Sequence, residues 1–217
     1  MLVRLCAFDY DDTLVQTRVS KYRAIKALAM RDYGVPLSDE EIDRVWGTPY
    51  SSFFSALFSR YDPDIDRVIR RYEALDAEFP ISPYPDAVEA VSRMAVERLV
   101  GIVSACGRVP LVAQLRGAGF PISRMAFVLG AEDSVYHKPD PRVFGPVMSV
   151  MTSSGITGAE VVYIGDSDRD RLAAMSAGFQ FIGVDRDVTQ TTLMRSNGAE
   201  VVDSLLAVCE AVTRRLL

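Results

Sequence analysis

The sequence predicts an α/β fold: a parallel sheet with helices on both faces, interrupted once by an all-helical insertion. Three observations carry this reading. Short apolar runs alternate with helical patterns over most of the chain. The stretch from 15 to 82 shows helical patterns and no strand pattern. Two of the apolar runs end directly in clusters of aspartate.

Leu2 to Phe8 is an apolar run suited to a strand buried on both faces. The insertion follows. Val19, Tyr22, Ile25, Leu28 and Ala29 form a helical stripe that ends at Gly34, and Ser38-Asp39-Glu40-Glu41 is a capping box opening a second helix. Phe53, Phe54, Leu57 and Phe58 belong to a third helix. Asp62-Pro63 opens a fourth, which carries Ile65, Val68, Ile69 and Tyr72. Pro80, Pro83 and Pro85 mark the return to the sheet.

Asp86 to Glu97 then places Val88, Val91, Met94 and Ala95 at helical spacing before the run Leu99 to Val103. Pro110 to Arg116 carries Leu111, Val112 and Leu115 on one face, ended by Gly117 and Gly119. Ala126 to Leu129 is the next strand. Asp140-Pro141 pairs an N-cap with a proline at the first helical position, ahead of the stripe Val143, Phe144, Val147, Met148 and Met151. Val161 to Ile164 is a strand, Asp168 to Ala177 a helix stopped by Gly178, Phe179 to Val184 a strand, and Val201-Val202 a short edge.

Composition sets the outer limits. With 217 residues, and about 150 per domain as a guide, the chain is one large domain or two unequal ones. Hydrophobic residues at 49% and charged residues at 24% are those of a globular protein. Lys+Arg number 24 against 29 Asp+Glu, a net charge of −5, so the chain lacks the basic field that nucleic acid or an anionic membrane would need. Cys6, Cys106 and Cys209 lie too far apart for a disulfide framework or a cysteine zinc finger. The single histidine, His137, argues against a His-rich metal site or a Ser-His-Asp triad. No signal-peptide pattern and no apolar run near the ~20 residues of a membrane span is visible, so the expected compartment is the cytoplasm.

The chemistry concentrates at four places. Asp9-Tyr10-Asp11-Asp12-Thr13-Leu14 leaves the first strand, and carboxylates two residues apart on extended chain face one centre. Acids so close repel one another unless a cation joins them. Gly165-Asp166-Ser167-Asp168-Arg169-Asp170 repeats the pattern at another strand end, where the acids also suit a helix start. If the two strands are neighbours, Asp9, Asp11 and Asp166 converge. Hard oxygen donors of this kind suit Mg²⁺ with a phosphate substrate. Ser104 ends a strand, and its hydroxyl with the loop amides of Ala105 and Cys106 suits a phosphoryl oxygen. Lys138, held extended by Pro139, supplies positive charge.

These four pieces, in this order, resemble the haloacid dehalogenase (HAD) superfamily. Asp9-Tyr10-Asp11-Asp12-Thr13 is similar to its D-x-D-x-T motif, Ser104 to its strand-end Ser/Thr, Lys138-Pro139-Asp140-Pro141 to its K-P-x-P, and Gly165-Asp166 with Asp170 to its G-D-x-x-x-D. The resemblance covers the whole chain. It implies a Rossmann-like core from residues 1–14 and 83–217, with a C1-type helical cap at 15–82 and hinges near 14–17 and 82–85. It also implies a Mg²⁺-dependent phosphatase of small phosphorylated metabolites. Asp9 would be the nucleophile. Asp11 would be the general acid and base, with its backbone carbonyl on the metal. Thr13, Ser104 and Ala105 would hold the phosphoryl group, Lys138 would neutralise charge, Asp9, Asp11 and Asp166 would ligate Mg²⁺, and Asp170 would orient Lys138 or the metal waters.

Asp11 separates phosphatases from dehalogenases, which need no acid there. Lys21 and Lys26 are the lysines of the insertion and read as helix-surface charges rather than a Schiff-base group. Within the family the alternative is a phosphomutase or phosphotransferase of the β-phosphoglucomutase type. Its cap arginine, three residues after a glycine, is matched here by Tyr50 in Gly47-Thr48-Pro49-Tyr50. A non-enzymatic phospho-acceptor is the remaining alternative, and an intact Asp11 argues against it. Arg18, Lys21, Arg44, Trp46 and Tyr50 are the candidates for substrate selection. Asp12 stands where the family usually has glycine, and Asp168 reads as a helix-start residue. The expected assembly is a monomer or weak homodimer.

Overall fold

The computed structural model of the chain describes residues 2–46 and 50–215. Its elements run β1 (Leu5–Phe8), α1 (Thr17–Tyr33), α2 (Asp39–Asp43), α3 (Tyr50–Phe58), α4 (Ile65–Glu73), α5 (Ala87–Glu97), β2 (Leu99–Val103), α6 (Arg108–Gly117) and β3 (Phe127–Leu129). They continue through α7 (Gly145–Ser154), β4 (Val161–Gly165), α8 (Asp168–Ser176), β5 (Gln180–Val184), α9 (Val188–Ser196), β6 (Val201–Val202) and α10 (Leu205–Arg214). The chain divides into two compact units, residues 1–15 with 83–217, and residues 16–82. None of the described helices is long and apolar enough to cross a membrane.

In the first unit the strands form a parallel sheet in the order β3-β2-β1-β4-β5-β6. The order reverses between β1 and β4, and in such sheets ligands bind at the carboxyl ends of the strands beside that reversal. Leu5 pairs with Leu99 on one side and Val161 on the other, and Phe8 with Ile102 and Ile164. Asp9 and Asp166, each just beyond its strand, therefore leave the sheet side by side. Both faces of the central strands are buried, which explains their continuous apolar sequence.

Leu5, Ala7, Val161 and Tyr163 pack with Phe144, Val147 and Met151 from the α7 region. Burying a side chain the size of Phe144 contributes about 1.5–3 kcal/mol. Gly101 of β2 has no room for a side chain, because a Cβ there would lie 2.2 Å from the Phe127 ring. Helices α5 and α10 pack on each other, and the Asp86 carboxylate accepts from the first amides of α10, Leu205 N at 2.7 Å and Leu206 N at 3.1 Å.

The second unit has its own core, built on Ile25, Leu28, Phe54, Phe58, Val68 and Tyr72. Phe54 and Tyr72 rings lie 4.8 Å apart, joining α3 to α4. The capping box at Ser38 and Glu41 is present. Two local expectations are corrected. Val19 faces solvent at 53% exposure, because the buried side of α1 runs through Ser20, Ala24, Ile25 and Leu28. The N-cap of α4 is Asp64 rather than Asp62; Asp62 is buried, where Arg67 and the Tyr33 hydroxyl donate to it.

Candidate active site

Asp9 follows β1, and its amide still donates to the Ile164 carbonyl of β4 at 2.8 Å. The chain then turns sharply. Leu14 N and Val15 N both donate to the Tyr10 carbonyl, at 2.9 and 3.2 Å. Asp12 takes the left-handed region at φ 54°. Glycine is free to adopt that conformation and Asp tolerates it better than most residues, which accounts for the residue type at this position. Tyr10 points away from the turn into the core, its hydroxyl donating to Gln114 Oε1 at 2.9 Å.

The turn brings Thr13 back beside Asp9. Thr13 Oγ1 lies 3.2 Å from Asp9 Oδ2 and 3.2 Å from Asp166 Oδ1, so one hydroxyl spans acids from two neighbouring strands. Lys138 approaches from the other side. Its ammonium donates to Asp9 Oδ1, to Asp170 Oδ1 at 2.6 Å and to the Tyr163 hydroxyl at 3.1 Å. The Lys138 carbonyl is gripped by Arg169, with Nη2 at 2.5 Å.

Asp170 owes its position to the start of α8. Ser167 caps the helix, and Asp170 Oδ2 accepts from the Ser167 amide at 3.2 Å and from its hydroxyl. Gly165 permits the approach, since a Cβ there would fall 2.6 Å from the Asp170 side chain.

Ser104 is buried at the end of β2, and its Oγ accepts from the Cys106 amide at 2.9 Å, forming a tight loop. Ala105 is exposed in that loop. Asp11 is partly exposed and lies outside the carboxylate cluster. His137 is exposed, and Asp168 is tied to Arg171 and Asn197 as a helix-start residue. Gly47, Thr48 and Pro49, invoked above in the comparison with mutases, lie outside the described residues.

Electrostatically the site is short of positive charge. Burial raises the Asp9 carboxyl to about 7, against the lowering pull of Lys138. Desolvation, with Asp170, Asp9 and Asp12 nearby, pushes Asp166 well above the carboxylate range. Burial alone would lower Lys138, but Asp170 and Asp9 outweigh it and hold the ammonium charged. Among the described residues, oxygens of Asp9, Asp166 and Asp170 lie within 4.8 Å of one another. An all-oxygen, negatively charged donor set of this kind fits a hard divalent cation.

Two residues of the site carry no motif signal. Tyr163 sits within the strand β4 and reads in sequence as core. Arg186, just past β5, stacks 3.5 Å from the Tyr84 ring centroid and reaches the Thr13 carbonyl at 3.4 Å. Neither pairing is visible without the strand order.

A parallel sheet with this reversal, and acids, a lysine and a strand-end serine at its carboxyl edge, defines a hydrolase of the HAD type. The chain belongs to the haloacid dehalogenase-like hydrolase family, whose model matches residues 6–184. Among curated proteins it is similar to the phosphoglycolate phosphatase of Yersinia pseudotuberculosis, 25% identical over 192 residues, covering 84% of this chain and 81% of that one. Among solved structures it is similar to a candidate beta-phosphoglucomutase of Thermotoga maritima, with a TM-score of 0.80, 18% identity, and coverage of 98% and 99%. A HAD-superfamily hydrolase of subfamily IA from Geobacter sulfurreducens gives a TM-score of 0.72 at 20% identity, with coverage of 97% and 96%.

Proposed function

We propose that this hydrolase is a Mg²⁺-dependent phosphatase of small phosphorylated metabolites, acting through an aspartyl-phosphate on Asp9. The observation that carries the reading is the double restraint on Asp9: Lys138 on one carboxylate oxygen and Thr13 on the other. A buried carboxylate fixed in this way is oriented for in-line attack, and its lysine favours the ionised form against the upward push of burial. The similarity to phosphoglycolate phosphatases supports the same chemistry and makes 2-phosphoglycolate a first substrate to try.

In this reading an Asp9 oxygen attacks phosphorus as the bond to the substrate's bridging oxygen breaks. Asp11 gives that oxygen its proton. Asp11 then takes a proton from water, the water oxygen attacks the phosphorus, and the Asp9–phosphorus bond breaks to release inorganic phosphate. Lys138 offsets charge on Asp9 and on the phosphoryl oxygens, while Thr13, Ser104 and the Ala105 amide receive those oxygens. Mg²⁺, held by Asp9, Asp166 and the Asp11 carbonyl, would add positive charge beside the transferred group. Asp170 fixes Lys138. The helical unit, residues 16–82, serves as the cap that selects the substrate.

The test is phosphate release from 2-phosphoglycolate, sugar phosphates, nucleotides and pyrophosphate, with Mg²⁺ and with EDTA, beside Asp9→Asn. Mg²⁺-dependent turnover that Asp9→Asn abolishes is expected. Folded protein that releases phosphate from none of them would overturn the reading.

A further inference from the structure

We infer that Tyr163 is a positioning residue for Lys138, fixing its ammonium to the end of β2; this rests on the phosphatase reading of the site. An ammonium has three N–H groups and no acceptor. Lys138 spends two on Asp9 and Asp170 and the third on the Tyr163 hydroxyl, at 3.1 Å. Tyr163 in turn donates its own proton to the Val103 carbonyl at 3.2 Å. The direction of that chain is fixed, since Lys138 can only donate and Val103 O can only accept. The phenol is the one group in the chain that does both.

Tyr163 is fully buried on β4, and β1 lies between β4 and β2. Its register partner on β1 is Ala7, and the partner of Ala7 on β2 is Gly101. Register partners share a face of the sheet, so the Tyr163 ring crosses β1 where the intervening side chain is a single methyl. The hydroxyl thereby reaches the residue just before Ser104. Lys138 sits on a loop, and Asp170 and Asp9 both pull on it with negative charge. The phenol supplies the neutral third point that sets how the ammonium is shared between them, and references it to the strand that ends in Ser104.

Tyr163→Phe removes only the hydroxyl and keeps the ring packed against Phe144, whose centroid is 4.9 Å away. With p-nitrophenyl phosphate and the panel above, kcat is expected to fall about tenfold, equal to about 1.4 kcal/mol in the barrier. KM should stay within about twofold, because the ring and the substrate contacts remain. A merely structural role would lower the melting temperature and leave that split absent. In the ¹⁵N-labelled full chain, the Lys138 ammonium signal, assigned by its loss in Lys138→Met, should exchange with water at least about tenfold faster in Tyr163→Phe. A kcat within twofold of wild type while Lys138→Met is inactive, or an unchanged exchange rate, would overturn the inference and leave the phosphatase reading standing. A wild-type protein that releases no phosphate would sink that reading, and the exchange measurement alone would then decide the role of Tyr163.

Discussion

Asp170 binds Lys138 and the start of its own helix with different oxygens: Oδ1 accepts from Lys138 Nζ at 2.6 Å, and Oδ2 accepts from the Ser167 hydroxyl and amide. The carboxylate therefore cannot rotate without breaking a helix cap, and the cap cannot fray without releasing the lysine. In the proposed mechanism Asp170 thereby constrains Lys138 without itself touching the transferred phosphoryl group. Asp170→Asn keeps the size and an acceptor for Ser167 but withdraws the charge from Lys138. Activity should fall about 10- to 100-fold, the usual cost of removing an outer partner of a charged site. Steady-state kinetics with thermal unfolding as a control would measure it, and a loss below threefold would contradict the arrangement.

Asp9→Asn should move activity and stability in opposite directions. Burial raises the Asp9 carboxyl from 3.8 to about 7 despite Lys138. A carboxyl whose folded value lies above its unfolded value favours the folded state while protonated, and that contribution is lost as pH rises from about 4 through about 7. The wild-type protein therefore carries an ionised, desolvated Asp9 at pH 8 at a cost in stability. Asn removes the cost, and Lys138 keeps Asp170 as its partner. In EDTA at pH 8, Asp9→Asn should melt higher than wild type, with the gap closing toward pH 4. Calorimetry across that range is the check, and a lower melting point at pH 8 would refute it.

The helical unit has its own acid dependence. Asp62 is held at about 2, first by the hydrogen bonds from Arg67, with help from the Asp64 amide and Tyr33. Here the folded value lies below the ordinary 3.8, so the stabilisation is complete above about 4 and is lost as pH falls toward 2. Asp62→Asn should lower stability at neutral pH and flatten the acid limb between pH 4 and pH 2. Unfolding followed by the Trp46 fluorescence reports on this unit, because Trp46 packs on its core.

Much of this was legible in the sequence because two signals reinforced each other. Apolar runs such as Val161 to Ile164 are too short for helices and end in acids, so both the strand and its chemical end were marked. The capping box at Ser38 follows the same logic, a local pattern with a local cause. What escaped was set by strand order or by weak pattern. Tyr163 meets Lys138 and Val103 across two strands, and Arg186 meets Thr13 across 173 residues. Helices α9 and α10 have their N-caps, Asp187 and Ser204, but their polar or mixed stripes give only a weak helical pattern. The helix read from Asp140-Pro141 opens with a 3-10 turn at Pro141–Phe144 before α7, so its cap lies earlier than the α-helix it announces.

Gly165→Ala should damage catalysis through Asp170. A Cβ at this position falls 2.6 Å from Asp170 Cβ and Cγ, well inside contact distance, so the Asp170 side chain must shift. Overpacking of this kind costs about 1–3 kcal/mol in stability. The larger effect is on kcat, since the same shift breaks the hold on Lys138. Combining Gly165→Ala with Asp170→Asn should lose less activity than the two separate losses multiplied together, because both act on one contact. Full additivity in kcat would show that Gly165 acts elsewhere.

Asp12 offers a test of the turn that carries Asp9, Asp11 and Thr13. Its φ of 54° lies in the left-handed region, and it is the one non-glycine residue with positive φ among the described residues. Replacing it with glycine removes the steric cost while adding freedom to the unfolded chain, so Asp12→Gly should change stability by no more than about 1 kcal/mol. Asp12→Val places a β-branched side chain in the same conformation, where the penalty is about 1–2 kcal/mol and no local polar contact offsets it. If the turn's shape is what matters, the glycine variant keeps its activity and the valine variant loses both stability and turnover, because Thr13 can no longer sit between Asp9 and Asp166. If the Asp12 carboxylate itself matters, the glycine variant loses turnover without melting lower. Urea unfolding and kcat measured on the same two variants separate these outcomes, and the strain at φ 54° favours the first.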